Sequence, residues 1–268
     1  MSAASADVFA ALLDRARKDP AILAFWLGGS RGKGLAGDHS DYDCAVIAAD
    51  EAYEPLRHEL GVITPFHASW RPGVDLLFMT FPMFEAHAAW GAAEAWDRYS
   101  YAHVTALVDK TGRAQPMIDE KARVPDAEVP RFVAASLDHF LNQVYRAAKC
   151  ARDGDVFASR LEAAEGIAPF LAALFAIHGG RLKPYYKYLA WELAEHPLAE
   201  SPYDAETLVR RLAAVFGVDG WALLQQLMID TRTLFCAHGY AATYEGWGGA
   251  LQWMMTYGRG VREPYNSL

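Results

Sequence analysis

Apolar and polar positions follow two different periods along this chain, and the change from one to the other divides it. In the first part, short apolar runs of strand length sit between helical segments. Ala4–Lys18 places Val8, Phe9, Leu12 and Leu13 on one helical face and stops at Asp19-Pro20. Ile22–Leu27 predicts a buried strand and Tyr42–Ala48 a second, with a helix over Glu51–Leu60. Val62–Trp70 and Gly73–Met79 predict two more strands, joined by the turn-forming Arg71-Pro72-Gly73. A helix is expected over Met83–Trp96, and Val104–Gly112 fits either a last strand and turn or a helix end. Prolines at 116, 125 and 130 mark a linker, with a boundary between 112 and 130. Beyond it the period is helical throughout: Pro130–Arg152, Asp155–Ile177, Tyr185–Glu195, Ala205–Val215 and Gly220–His238. The expectation is a two-domain α+β chain. A mixed-sheet domain with flanking helices spans 1–120 and a helical bundle spans 121–268.

Composition narrows the chemistry without naming it. The 268 residues leave room for two cores, and the formal charge of -8 is shared by both halves. No contiguous basic element is present, which disfavours a nucleic-acid partner. No apolar run approaches the roughly 20 residues of a membrane-spanning helix. The N-terminus lacks the basic head and apolar core of a secretory leader. Cys44, Cys150 and Cys236 form no CxxC pair, so a reducing, cytoplasmic setting is expected. An apolar helical face is compatible with a monomer or a homodimer.

The chemistry concentrates in Gly28-Gly29-Ser30, Ser40-Asp41-Tyr42-Asp43 and Val74-Asp75-Leu76. Asp41 and Asp43, two apart on an extended strand, point to one face, while Tyr42 and Cys44 point into the core. If the strand carrying Asp75 is a neighbour, three carboxylates converge, repel one another, and invite a hard cation such as Mg²⁺. The glycines and Ser30 offer close backbone approach and a hydroxyl to phosphate oxygens, with Arg31 and Lys33 at hand. Metal on one side and phosphate on the other suit phosphoryl or nucleotidyl transfer. The glycine run matches neither a P-loop nor GxGxxG, and no HExxH is present. His39 reads as a structural or solvated residue. The late aromatics Tyr240, Tyr244, Trp247, Trp253 and Tyr257 read as packing.

Leu27-Gly28-Gly29-Ser30-Arg31-Gly32, with Ser40-Asp41-Tyr42-Asp43 and Asp75 downstream, resembles the signature of the DNA polymerase β-like nucleotidyltransferase superfamily. The small bacterial branch of aminoglycoside and lincosamide nucleotidyltransferases is similar in size and layout. The resemblance covers residues 26–76. It implies that Gly28, Gly29, Ser30 and Arg31 contact a nucleoside triphosphate, ATP being expected. It also implies that Asp41, Asp43 and Asp75 hold Mg²⁺, in one or two ions, and carry catalysis. The segment Leu174–His178 followed by Arg181–Leu189 resembles an element of the helical domain of such enzymes. There Lys183 and Lys187, read as four apart on a proline-started helix, are expected to reach the triphosphate. Asp75, Glu162 or Glu165 is the general base. The acceptor is expected to be the hydroxyl of a small molecule, an antibiotic among the candidates. A protein-modifying enzyme of toxin–antitoxin type and an inactive nucleotide-binding module are the alternatives.

Overall fold

The computed structural model describes residues 3–258. Residues 1–2 and 259–268, the outer ends of the two expected domains, lie outside the described residues. The chain divides into two compact units, Met1–Val124 and Pro125–Leu268.

The first unit is built on a mixed five-stranded sheet. Its strands are β1 (Ile22–Leu27), β2 (Tyr42–Ala48), β3 (Phe66–Arg71), β4 (Val74–Met79) and β5 (Ala106–Asp109), in the spatial order β3-β4-β2-β1-β5. All neighbours are antiparallel except β2 and β4, which run parallel. In β1, β2 and β4 side-chain alternation gives two buried rows, as expected of strands covered on both faces. Tyr42, Cys44, Val46, Val74, Leu76 and Phe78 pack against Leu12 and Ala16 of α1 (Ala3–Lys18) and Leu56 and Leu60 of α3 (Tyr53–Leu60). Ala24, Trp26, Ala45, Ile47 and Met79 pack against Phe81 and Phe84 of α4 (Phe81–Ala86) and Ile118 of α5 (Ala114–Lys121). The single turn Gly29–Gly32, α2, follows β1 directly. Residues 104–112 thus form the strand and turn. The expected linker around Pro116 is instead helix α5, with Pro116 in the first turn, where a missing N–H costs nothing.

The helix expected over Met83–Trp96 is broken. α4 ends at Ala86, and a 3₁₀ stretch runs from Ala93 to Tyr101. Between them Ala88 (φ 50°) and Gly91 (φ 84°) turn left-handed, which no helix continues through. Arg98, 1% exposed, fastens this break: its guanidinium donates to the carbonyls of Ala88 (3.1 Å), Glu120 (2.5 Å) and Arg123 (2.8 Å). Arg98→Met strands those carbonyls. It is expected to lower stability by about 3 kcal/mol, read as an earlier urea midpoint; an unmoved midpoint would show that the break is held by packing alone.

The second unit is helical. α6 (Val129–Arg152) is its long element, and its buried Val133, Leu137, Phe140, Leu141, Val144 and Ala148 recur at helical spacing. Phe140 meets Phe170 of α8 (Ile167–Ile177) with ring centroids 5.0 Å apart. The segment expected as one helix over Asp155–Ile177 is two, α7 (Val156–Glu165) and α8, meeting at Gly166. A Cβ there would lie 2.6 Å from a Leu224 methyl, so glycine lets α11 (Gly220–Phe235) approach that junction without displacing the leucine. α9 (Leu189–Glu195), α10 (Ala205–Ala214), α12 (Ala241–Glu245) and α13 (Gly248–Thr256) complete the unit. Tyr145, Trp253 and Tyr257 pack on one another at 5.0–5.5 Å. Among the described residues, no helix is long and apolar enough to cross a membrane.

Candidate metal and phosphate site

The parallel pairing of β2 with β4 sets Asp43 directly beside Asp75. Both stand on the same face of the sheet, since paired residues of neighbouring strands share a face. Asp41, one residue ahead of β2, joins them. One carboxylate oxygen from each lies within 4.8 Å of the others, Asp41 being exposed and the other two half-buried. Tyr42 and Cys44 face the core, as their alternation predicts. Burial, with the charges of Asp43 and Asp75 adding to it, pushes the Cys44 thiol up to about 12, so it remains protonated at neutral pH. Thiol reagents are therefore expected to modify the half-buried Cys150 and Cys236 first and to spare Cys44 until the unit unfolds, which mass mapping of alkylated peptides reads out.

The glycine-serine turn is fitted against this group. Gly28 N–H donates to the Asp43 carbonyl at 2.8 Å. Gly29 has φ 56°, and a Cβ on it would sit 1.7 Å from Asp43 Oδ2, so no other residue fits without moving the carboxylate. The Ser30 hydroxyl donates to Ser40 Oγ at 2.9 Å, and Ser40 Oγ also accepts the Gly37 N–H at 2.9 Å. Ser40 thus ties the turn to the strand that carries the aspartates.

Two basic residues read from the sequence as phosphate contacts are engaged within the first unit. Arg31 donates from Nε (3.2 Å) and Nη2 (2.8 Å) to the Ser40 carbonyl, and its guanidinium lies 4.1 Å from the Tyr42 ring centroid. Lys33 is buried rather than solvated: its ammonium reaches the carbonyls of Ala102 and Ser100 and faces the Tyr99 ring. His39 is exposed.

Lys183 and Lys187 belong to the second unit, and the helix expected to carry both is absent there. Residues 182–185 form neither helix nor strand, and Tyr186–Tyr188 form a 3₁₀ turn before α9. Pro184 and the two left-handed glycines, Gly179 and Gly180, keep the segment from coiling earlier. The Lys183 ammonium lies 4.5 Å from the Tyr186 ring centroid, and burial lowers its pKa. Lys187, exposed, lies 4.8 Å from the Tyr188 ring centroid. Glu162 is held by Arg146 at 2.5 Å, whereas Glu165 is exposed.

One contact escapes sequence reasoning. The main-chain N–H of Ser69, on β3, donates to Asp75 Oδ1 at 2.6 Å. Ser69 has φ 51°, a conformation that costs a non-glycine residue roughly 1–2 kcal/mol. Nothing in the pattern Phe66–Arg71 marks it, because serine carries no signature of that backbone.

No protein-family profile matches the chain, and no curated protein matches it. Among solved structures, a nucleotidyltransferase-like protein from Exiguobacterium sibiricum is similar at 13% identity and a TM-score of 0.39, over 86% of this chain and 78% of that one. At that distance the likeness decides neither fold nor chemistry, and both rest on the residues just described.

Proposed function

We propose that the first unit is the catalytic part of a nucleotidyltransferase. It would move a nucleoside monophosphate from a nucleoside triphosphate, ATP foremost, to a hydroxyl of a small molecule, an antibiotic among the candidates, and release pyrophosphate. The observation that carries this reading is the convergence of Asp41, Asp43 and Asp75, with oxygens within 4.8 Å of one another, against a glycine-serine turn whose Gly29 leaves no room for a Cβ beside Asp43. Three carboxylates in such a space suit a hard divalent cation, Mg²⁺ or Mn²⁺, and no soft or nitrogen ligand stands among them. When bound there, the cation would neutralise the donor's phosphates and favour ionisation of the acceptor hydroxyl.

The chain's own groups divide the remaining work. Asp41 and Asp43 would hold the cation. Asp75, one oxygen already engaged by Ser69, would offer the other to the cation and to the proton leaving the acceptor hydroxyl. The acceptor oxygen bonds to the α-phosphorus as the bond from that phosphorus to the bridging oxygen breaks, and pyrophosphate departs. The Ser30 hydroxyl would turn from Ser40 to a phosphate oxygen. Arg31 would act through Ser40, whose carbonyl it holds, rather than as a free phosphate ligand. Family resemblance alone supports assigning Lys183 and Lys187 to the triphosphate.

The test is a screen of hydroxyl acceptors with each labelled nucleoside triphosphate and Mg²⁺ or Mn²⁺, following pyrophosphate and acceptor mass together. An acceptor heavier by one nucleoside monophosphate, with equimolar pyrophosphate, is expected. Nucleotide binding with no pyrophosphate from any acceptor would leave only a binding module, and label on protein would identify a protein-modifying enzyme.

A further inference from the structure

β3 and β4 do not pair evenly. Phe66 stands opposite Leu77 and His67 opposite Leu76, but the next pair is Arg71 with Val74. Three residues of β3, Ala68, Ser69 and Trp70, therefore span the length of one residue of β4, and that residue is Asp75. The slack is taken up by the left-handed turn at Ser69, which brings its N–H onto Asp75 Oδ1. Trp70 pins the bulge from behind: it is 8% exposed, and its indole N–H donates to the Leu60 carbonyl at 2.8 Å. Arg71 donates to the same carbonyl at 3.1 Å and lies over the Trp70 ring. A bulge re-aims what it faces, and this one faces a single carboxylate.

We propose that the Ser69 main-chain amide is a positioning group that fixes the Asp75 carboxylate, with one oxygen engaged and the other presented to the divalent cation held with Asp41 and Asp43. The inference rests on the metal reading above. An exposed carboxylate rotates freely about its side-chain torsions and loses that freedom on binding a cation. A carboxylate already held at one oxygen has less to lose, so its site binds more tightly. The Ser69 hydroxyl has no part in this; only the amide hydrogen and the backbone that aims it do.

The test changes that hydrogen alone. In the full-length protein, the amide of residue 69 is replaced by an ester, through incorporation of the α-hydroxy analogue of serine, and Mn²⁺ binding is measured by electron paramagnetic resonance. The ester is expected to weaken Mn²⁺ binding about tenfold or more, the order of one amide hydrogen bond to a charged acceptor. The metal-free melting temperature should fall by a few degrees, since the bond is already made there, with the protein still folded at the assay temperature. Ser69→Gly, which keeps the N–H and adopts the left-handed backbone freely, is expected to bind Mn²⁺ within about twofold of the parent. In the metal-free protein, the Ser69 amide should exchange its hydrogen slowly, and faster in Asp75→Ala. Parental Mn²⁺ affinity in the ester variant, or Ser69 exchange indifferent to Asp75→Ala, overturns the proposal while the metal reading stands. A parent that takes up no Mn²⁺, or an Asp75→Asn variant that binds it as tightly as the parent, overturns the metal reading and the proposal with it.

Discussion

Asp43→Asn is expected to reduce nucleotidyl transfer by about a thousandfold or more while leaving the fold intact. The asparagine has nearly the shape of the carboxylate it replaces, and Asp43 is half-buried at the start of β2, so no cavity opens. Its main-chain carbonyl still accepts from Gly28. The substitution also removes one of three like charges crowded within 4.8 Å, so in the absence of metal the melting temperature should hold or rise. The two readouts thus move apart: catalysis and Mn²⁺ uptake collapse, while metal-free stability does not. Turnover near the parental rate would sink the mechanism. A collapse of stability along with activity would reassign Asp43 to a structural role.

Gly29→Ala is expected to cost nearly as much activity, about a hundredfold or more, through geometry instead of charge. The added methyl would overlap Asp43 Oδ2, only 1.7 Å from its ideal position, so the carboxylate must swing away or the turn must back off. The left-handed backbone at Gly29 adds a strain of about 1–2 kcal/mol for alanine. Gly34→Ala separates the two effects. Gly34 is also left-handed, at φ 73°, but a Cβ there meets nothing within 4 Å. Both variants should lose similar stability by urea denaturation, and only Gly29→Ala should lose activity and Mn²⁺ affinity. Equal losses of activity in the two would mean that strain, and not the contact with Asp43, governs the turn.

How much of this was readable beforehand follows from how local each feature is. The alternation Tyr42-Asp43-Cys44 fixes which side chains share a face, because that period is a property of any extended chain. Short apolar runs of strand length made Tyr42–Ala48 and Ile22–Leu27 legible to the residue. The adjacency of Asp43 to Asp75 was conditional in the sequence, since strand order is a tertiary fact; the parallel β2–β4 pairing supplies it. The over-long helix after Met83 came from reading apolar spacing without the left-handed Ala88 and Gly91. The shared helical face of Lys183 and Lys187 failed for a similar reason, with Pro184 standing between them and only a 3₁₀ turn forming at Tyr186–Tyr188. Lys33 and Arg98 were illegible because nothing distinguishes a buried cation capped by carbonyls from a solvated one until the carbonyls are placed. The Ser69 amide is the extreme case, a main-chain group aimed by a bulge.

The parallel register of β2 and β4 also sets a time order. Asp41 and Asp43 are close in the chain, but Asp75 reaches them only once β4 has docked on β2 in one register. A slip of a single residue would turn Asp75 to the opposite face, toward Cys44 and Val46 of β2. The acidic face therefore comes into being only with a non-local strand pairing, a step of the kind that closes slowly. Divalent cation, having nothing to grip before that step, would stabilise only the finished sheet and slow its unfolding without speeding its formation.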